Sequence, residues 1–236
     1  MTGRLTVGIL GGMRPAATVD FYDKLVRATP AGRDQDHLRV IIWADPAVPD
    51  RTAALLEGGD DPRPVLRAGA VKLAASGADL LAVPCNTAHA FVPEIAAAVG
   101  LPLVSIIDTT ADTVRAARPA RVGLLATTGT VASRLYHDAI EPSGVTVLAP
   151  GDAAQAQVMT AIQAVKSGDL GTAGPLLAGA AAGLIEAGAE LIIAGCTEVV
   201  LALPEASRPL LDPARLLAER VVEIARTGRL DPSRAA

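Results

Sequence analysis

Cys85 and Cys196 are the only two cysteines in the chain, and they sit in similar surroundings. Each ends a short apolar run, DLLAVPC and ELIIAGC, and each leads into polar residues, Asn86-Thr87 and Thr197-Glu198. A thiolate is a good base and nucleophile, and a helix N-terminus lowers a thiol pKa below its free value of about 8.5. A single cysteine is most often an inert, buried small hydrophobe. Packing alone does not explain the only two at matching places. Two facing thiols suit inversion of a carbon stereocentre. One group removes a proton from one face, and the other returns a proton to the opposite face. One starts as thiolate and the other as thiol, and they exchange roles with substrate handedness. The hard step is stabilising carbanion character beside a carboxylate. Backbone N–H groups and hydroxyls around Asn86, Thr87, Thr127, Thr128 and Thr197 are the candidate donors.

The elements that must position these residues are legible as alternating patterns. Apolar runs at Leu5–Leu10, Leu38–Ala44, Asp79–Pro84, Leu103–Ile107, Arg121–Ala126, Val145–Leu148, Glu190–Ala194 and Pro209–Leu211 read as strands. Between them, Ala17–Thr29, Val65–Ser76, Thr109–Ala117, Ala153–Ser167, Pro175–Ala187 and Pro213–Thr227 carry helical periodicity. Buried strands joined by helical crossovers predict an α/β fold with mainly parallel sheets flanked by helices. A weak internal repeat divides it. One half opens with VGIL at Val7 and reaches Cys85; the other opens with VGLL at Val122 and reaches Cys196. The expectation is two pseudo-symmetric domains, residues 1–107 plus 210–236 with Cys85 and residues 108–209 with Cys196. The active site is expected in the cleft between them, because open α/β sheets take ligands at their carboxyl ends. The tail from Leu210 is expected to pack back on the first half as one more strand and a closing helix.

Composition narrows the function classes. The chain has 236 residues, 50% of them hydrophobic, and a formal charge of −4. That mild negative charge argues against a nucleic-acid partner, which needs a basic face. Aromatic residues make up 2%, too few for a base-stacking platform. The N-terminus lacks a signal-peptide core. The longest apolar stretch, Ala178–Ala194, is broken by Glu186 and Glu190, so no membrane span is expected. Two cysteines are too few for a secreted disulfide framework, and a cytoplasmic location follows as the expectation. GILGG at 8–12 follows a strand but fits neither dinucleotide nor P-loop spacing. His89 could pair with Cys85 on a metal, yet no matching ligand spacing occurs in the second half. A hydrogen-bonding histidine and no metal site are expected.

Six stretches, GILGGMRPAATVDFYDKLV, RDQDHLRVII, PDRTAAL, GADLLAVPCNTAHAF, GLLATTGT and LIIAGCTEVVL, span nearly the whole chain in order. Together they resemble the aspartate racemase branch of the cofactor-independent aspartate/glutamate racemase family. The resemblance implies racemisation of aspartate by two cysteines, Cys85 and Cys196, without pyridoxal phosphate or another cofactor, commonly in a homodimer. It implies that Arg51, in PDRTAAL, holds a substrate carboxylate, as a planar guanidinium suits, and that Lys166 contacts substrate. The Met13 loop and Glu198 fall in the matching motifs and join the expected substrate-binding set. Thr197-Glu198 stands where glutamate racemases usually carry Thr-His, which favours the aspartate branch. The family's opening loop usually reads GGMGP, whereas here Arg14 replaces the last glycine. Racemisation of glutamate or another amino acid, with specificity altered by Arg14, is the enzymatic alternative. A catalytically inactive relative that binds an acidic ligand is the alternative from another class.

Overall fold

The computed structural model describes residues 4–203 and 209–228. These fall into two compact units by contact, one within Met1–Thr109 and Ala214–Ala236 and the other within Thr110–Pro213. The chain order is β1 (Val7–Gly11), α1 (Pro15–Ala28), β2 (Val40–Ala44), α2 (Arg51–Leu56), α3 (Arg63–Ala75), β3 (Leu80–Ala82), α4 (Val92–Val99), β4 (Leu103–Val104) and α5 (Ile106–Ala117). It continues with β5 (Arg121–Ala126), α6 (Thr128–Ala132), α7 (Leu135–Ile140), β6 (Thr146–Leu148), α8 (Asp152–Ser167), α9 (Leu170–Glu186), β7 (Leu191–Gly195), α10 (Thr197–Ala202), β8 (Leu210–Leu211) and α11 (Pro213–Thr227).

Among the described residues the strands form two four-stranded sheets, ordered β2-β1-β3-β4 and β6-β5-β7-β8. All their pairings are parallel. Numbered within its own unit, each sheet has the order 2-1-3-4. The central strands are apolar throughout because helices cover both faces. All five residues of β1 are buried, and so is β5 beyond Arg121. The fold class expected from the alternation is the one observed.

In the first unit, Leu10, Leu66, Ala70, Leu73 and Leu81 build one core cluster. In the second, Leu125, Val158, Ile162, Leu177 and Ile192 build another, which includes Cys196. The tail departs from expectation. Its strand β8 pairs with β7, Leu210 opposite Ile192 and Leu211 opposite Ile193, and so extends the second sheet instead of the first. Only α11 returns to the first unit, where Ala225 accepts from the Leu5 N–H and Arg226 reaches the Pro30 carbonyl.

The turn after β1 depends on Gly12. Its φ is +91°, and a Cβ there would lie 2.1 Å from the Asp45 nitrogen, so only glycine fits. Arg14, by contrast, has φ −157°, extended backbone that any residue adopts. Arginine at this position therefore carries no backbone strain.

Candidate active site

β7 ends at Gly195, and Cys196 follows in extended conformation as the N-cap residue of α10. A Cβ at position 195 would meet the Leu124 side chain at 2.7 Å and Ala126 at 2.9 Å, so the strand carrying the cysteine packs at glycine distance against β5. Cys196 is 8% exposed. Its thiol donates to Glu198 Oε2 at 2.8 Å, and the Thr197 hydroxyl donates to the same oxygen at 3.0 Å. Glu198 is itself only 4% exposed. The carboxyl group expected to bind substrate is thus turned onto the thiol. Beneath lies Tyr136, fully buried, whose ring would sit 3.3 Å from a Cβ at position 195. Burial, with the neighbouring Asp212 and Cys196, pushes its phenol far above the ordinary range. It stays a neutral hydroxyl.

The carboxyl end of β5 supplies Thr127 and Thr128. Thr127 caps α6, its hydroxyl accepting from the Thr130 N–H at 3.2 Å, as capping threonines do. The Thr128 N–H points at the Met159 sulfur at 3.3 Å, and the Thr128 hydroxyl accepts from Gln155. Sequence reasoning passed over Gln155 and Met159. The available signal was a glutamine on the apolar stripe of α8, three residues before Val158 and seven before Ile162. Lys166 stands exposed on the last turn of α8, ahead of the Gly168 C-cap. It makes no hydrogen bond or ion pair among the described residues. Its placement fits the ordinary preference for a cation at a helix C-terminus.

In the first unit Cys85 lies three residues beyond the end of β3, half-buried and packed against the core. Its N–H donates to the Val83 carbonyl at 2.8 Å. The segment after it is a single 3-10 turn, Thr87–Ala90, with Asn86 just before it. One such turn aligns few peptide dipoles, and α10 has only six residues, so neither thiol has a long helix dipole behind it. Asn86 and Thr87 are buried beside Cys85 in the chain.

His89 holds this turn in place. Nδ1 donates to the Cys85 carbonyl at 2.9 Å, and Nε2 accepts from the Ile106 N–H at 3.3 Å. Ile106 opens α5, so the ring satisfies one of the amides that a helix start leaves without an intrahelical partner. Both ring nitrogens are engaged, as a hydrogen-bonding histidine requires. Among the described residues no group of three or more His, Cys, Asp or Glu is placed to hold a metal ion. Burial pushes the His89 pKa down to about 4, against the opposing pull of the Cys85 carbonyl and Asp108.

Because the folded pKa is depressed, His89 weakens the native state only as acid is added. Its contribution is whole above pH 6.5 and is lost between pH 6.5 and 4. The loss is roughly 3 kcal/mol if the unfolded ring titrates normally. Urea unfolding at pH 7 and pH 4.5 is expected to show this drop, and His89→Gln to shrink it. An equal acid loss in wild type and variant would refute the assignment.

Arg51 ties two loops together. Nη1 donates to the Pro49 carbonyl at 2.8 Å and the Val48 carbonyl at 3.3 Å, and Nη2 to the Met13 carbonyl at 3.0 Å. Its Nε is buried with no hydrogen-bond partner among the described residues. Asp50 caps α2 just before it, accepting from the Thr52 and Ala53 N–H groups. The guanidinium expected to hold a carboxylate thus orders the loop bearing Met13 and half-buried Arg14. The structure brings together Met13 with Arg51, Thr127 with Thr128, and Cys196 with Thr197 and Glu198. It leaves Lys166 apart.

Comparison with known proteins agrees with this architecture. A model of the Asp/Glu/Hydantoin racemase family matches residues 10–221. The broad specificity amino-acid racemase RacX of Bacillus subtilis is 30% identical, with 92% of this chain and 96% of that protein covered. The solved aspartate racemase of Picrophilus torridus superposes with a TM-score of 0.86 at 31% identity, covering 94% of each chain. An aspartate racemase homologue from Pyrococcus horikoshii superposes at 0.76 with 26% identity, over 94% of this chain and 99% of that one.

Proposed function

Because the chain belongs to the Asp/Glu/hydantoin racemase family, we propose that it interconverts L- and D-aspartate by two-base proton transfer between Cys85 and Cys196. The observation that carries this reading is the equivalence of the two thiols. Each stands just past the carboxyl end of the third strand of a 2-1-3-4 parallel sheet, the edge where such sheets take ligands. A two-base inversion requires both thiols to reach one carbon from opposite faces. The two of them supply both proton-transfer groups, so the proposed reaction runs without a cofactor.

In the proposed cycle one thiol begins as the acid and the other as the base. The hydrogen bond from Cys196 to Glu198 supports Cys196 as the acid, and Cys85 is then the base. It takes the Cα proton of one enantiomer; the electron pair is held as carbanion character beside the carboxylate, steadied by donors at Asn86, Thr87, Thr127, Thr128 and Thr197. The Cys196 S–H returns a proton to the other face, leaving a Cys196 thiolate and a Cys85 thiol. The opposite enantiomer then reacts in the reverse sense. Arg14 and Arg51 put positive charge at the carboxyl edge of the first sheet, suited to substrate carboxylates. Lys166 joins them if a substrate carboxylate extends to the end of α8.

Aspartate is the first choice because the solved aspartate racemase of Picrophilus torridus is similar over nearly the full chain. A wider substrate range is the second reading. It is favoured by the likeness to RacX and by Arg14 in the loop after β1. The test is proton NMR of the purified protein in D₂O, with L-aspartate and L-glutamate in separate tubes and no added cofactor. Loss of the Cα–H signal with appearance of the D enantiomer on chiral chromatography is expected for aspartate. Unchanged signals across a panel of amino acids would overturn the racemase reading.

A further inference from the structure

Gln155 lies on α8 with 9% of its surface exposed, on the stripe that also carries Val158, Ile162 and Val165. Its partners fix the orientation of the amide. Nε2 donates to the Ala126 carbonyl at 3.0 Å and to the Thr128 hydroxyl oxygen at 3.3 Å. A flipped amide would set one acceptor against another at Ala126. Oε1 is therefore the remaining atom, and among the described residues it has no hydrogen-bond partner. Buried acceptors are nearly always paired, so this one calls for a donor from outside the chain.

The surroundings say what kind of donor. Ala126 pairs with Gly195 across β5 and β7, which puts the Gln155 amide at the row just before Cys196. The carboxyl groups of Glu198 and Asp212 follow the carboxyl ends of β7 and β8 in the same sheet. An edge rich in acceptors favours a cationic donor. The Thr128 hydroxyl accepts from Nε2 and keeps its own proton to donate. An acceptor and a donor side by side match the ammonium and carboxylate of an α-amino acid.

We propose that Gln155 accepts a hydrogen bond from the α-ammonium group of the substrate and so distinguishes amino acids from their deaminated counterparts. The assignment rests on the racemase reading. A neutral amide suits the task, since it binds the ammonium without placing another fixed negative charge near the developing carbanion.

The test compares wild type with Gln155→Met, which keeps side-chain length and removes the acceptor. KM is measured for the amino acid that the wild type turns over. The inhibition constant is measured for its deaminated analogue, succinate for aspartate or glutarate for glutamate. The variant is expected to raise KM about tenfold and to leave the inhibition constant within about twofold. Equal losses for both ligands, or no change in either, would overturn the assignment. A wild type that turns over no amino acid would overturn the racemase reading itself, a result separate from any behaviour of the variant. Should Gln155→Met not fold, Gln155→Glu carries the test. It keeps an acceptor, so it is expected to prefer the amino acid over the analogue at least as strongly as wild type does, and loss of that preference overturns the proposal.

Discussion

Replacing Cys85 or Cys196 by alanine is expected to lower racemisation about a thousandfold or more, because the proposed mechanism makes each thiol one of two obligatory proton carriers. The fold is expected to survive. Cys85 is half-buried and Cys196 loses only one sulfur from a core built mostly of aliphatic groups. The informative readout is exchange rather than inversion. An enzyme with one thiol left can still remove a Cα proton from the enantiomer that presents it, and return a solvent proton to the same face. Cys196→Ala is therefore expected to exchange one enantiomer of the substrate with D₂O and not the other. Cys85→Ala is expected to exchange the opposite one. Complementary exchange without inversion is the signature of two opposed bases. Full racemase activity in either variant would refute the two-thiol mechanism.

How much of this was legible in advance depends on the element. The strands read well because buried parallel strands must be continuous and apolar, but their ends did not. Leu103–Ile107 reads as one apolar run, yet the strand stops at Val104. Ser105 stands just before α5 and caps it, its hydroxyl accepting from the Asp108 N–H and its carbonyl from the Thr109 N–H. An apolar run of five cannot tell a strand from the start of a buried helix. The short helices α2 and α10 escape periodicity for the same reason, having six residues each. The repeat of the two cysteine motifs was legible because the thiols end corresponding strands. Their different partners were not. Glu198 meets its cysteine because the N-cap geometry at Cys196 turns a side chain two residues on back toward the thiol. His89 meets a carbonyl instead, because the segment after Cys85 closes as a 3-10 turn. Arg51 shows the reverse case: its motif points to a ligand contact, while the structure commits both terminal nitrogens of its guanidinium to loop carbonyls.

Glu198→Gln is expected to cut kcat about a hundredfold and to leave the protein folded. The amide fills the same volume and removes a buried carboxyl group, so stability has little reason to fall. Chemistry does. In the native site Glu198 accepts from both the Cys196 thiol and the Thr197 hydroxyl on one oxygen. In the proposed mechanism it therefore stands where it can take the thiol proton when Cys196 serves as the base. Among the described residues no carboxyl group bonds the Cys85 sulfur; its hydrogen bonds run through its backbone to Val83 and His89. The two half-reactions should then respond differently. Enantiomers have equal free energy, so kcat/KM must fall by the same factor in both directions, and steady-state rates alone cannot reveal the asymmetry. Exchange can. In D₂O the variant is expected to retain exchange of the enantiomer that faces Cys85 and to lose exchange of the one that faces Cys196. Equal retention or equal loss for both enantiomers would show that Glu198 packs beside the thiol without serving it.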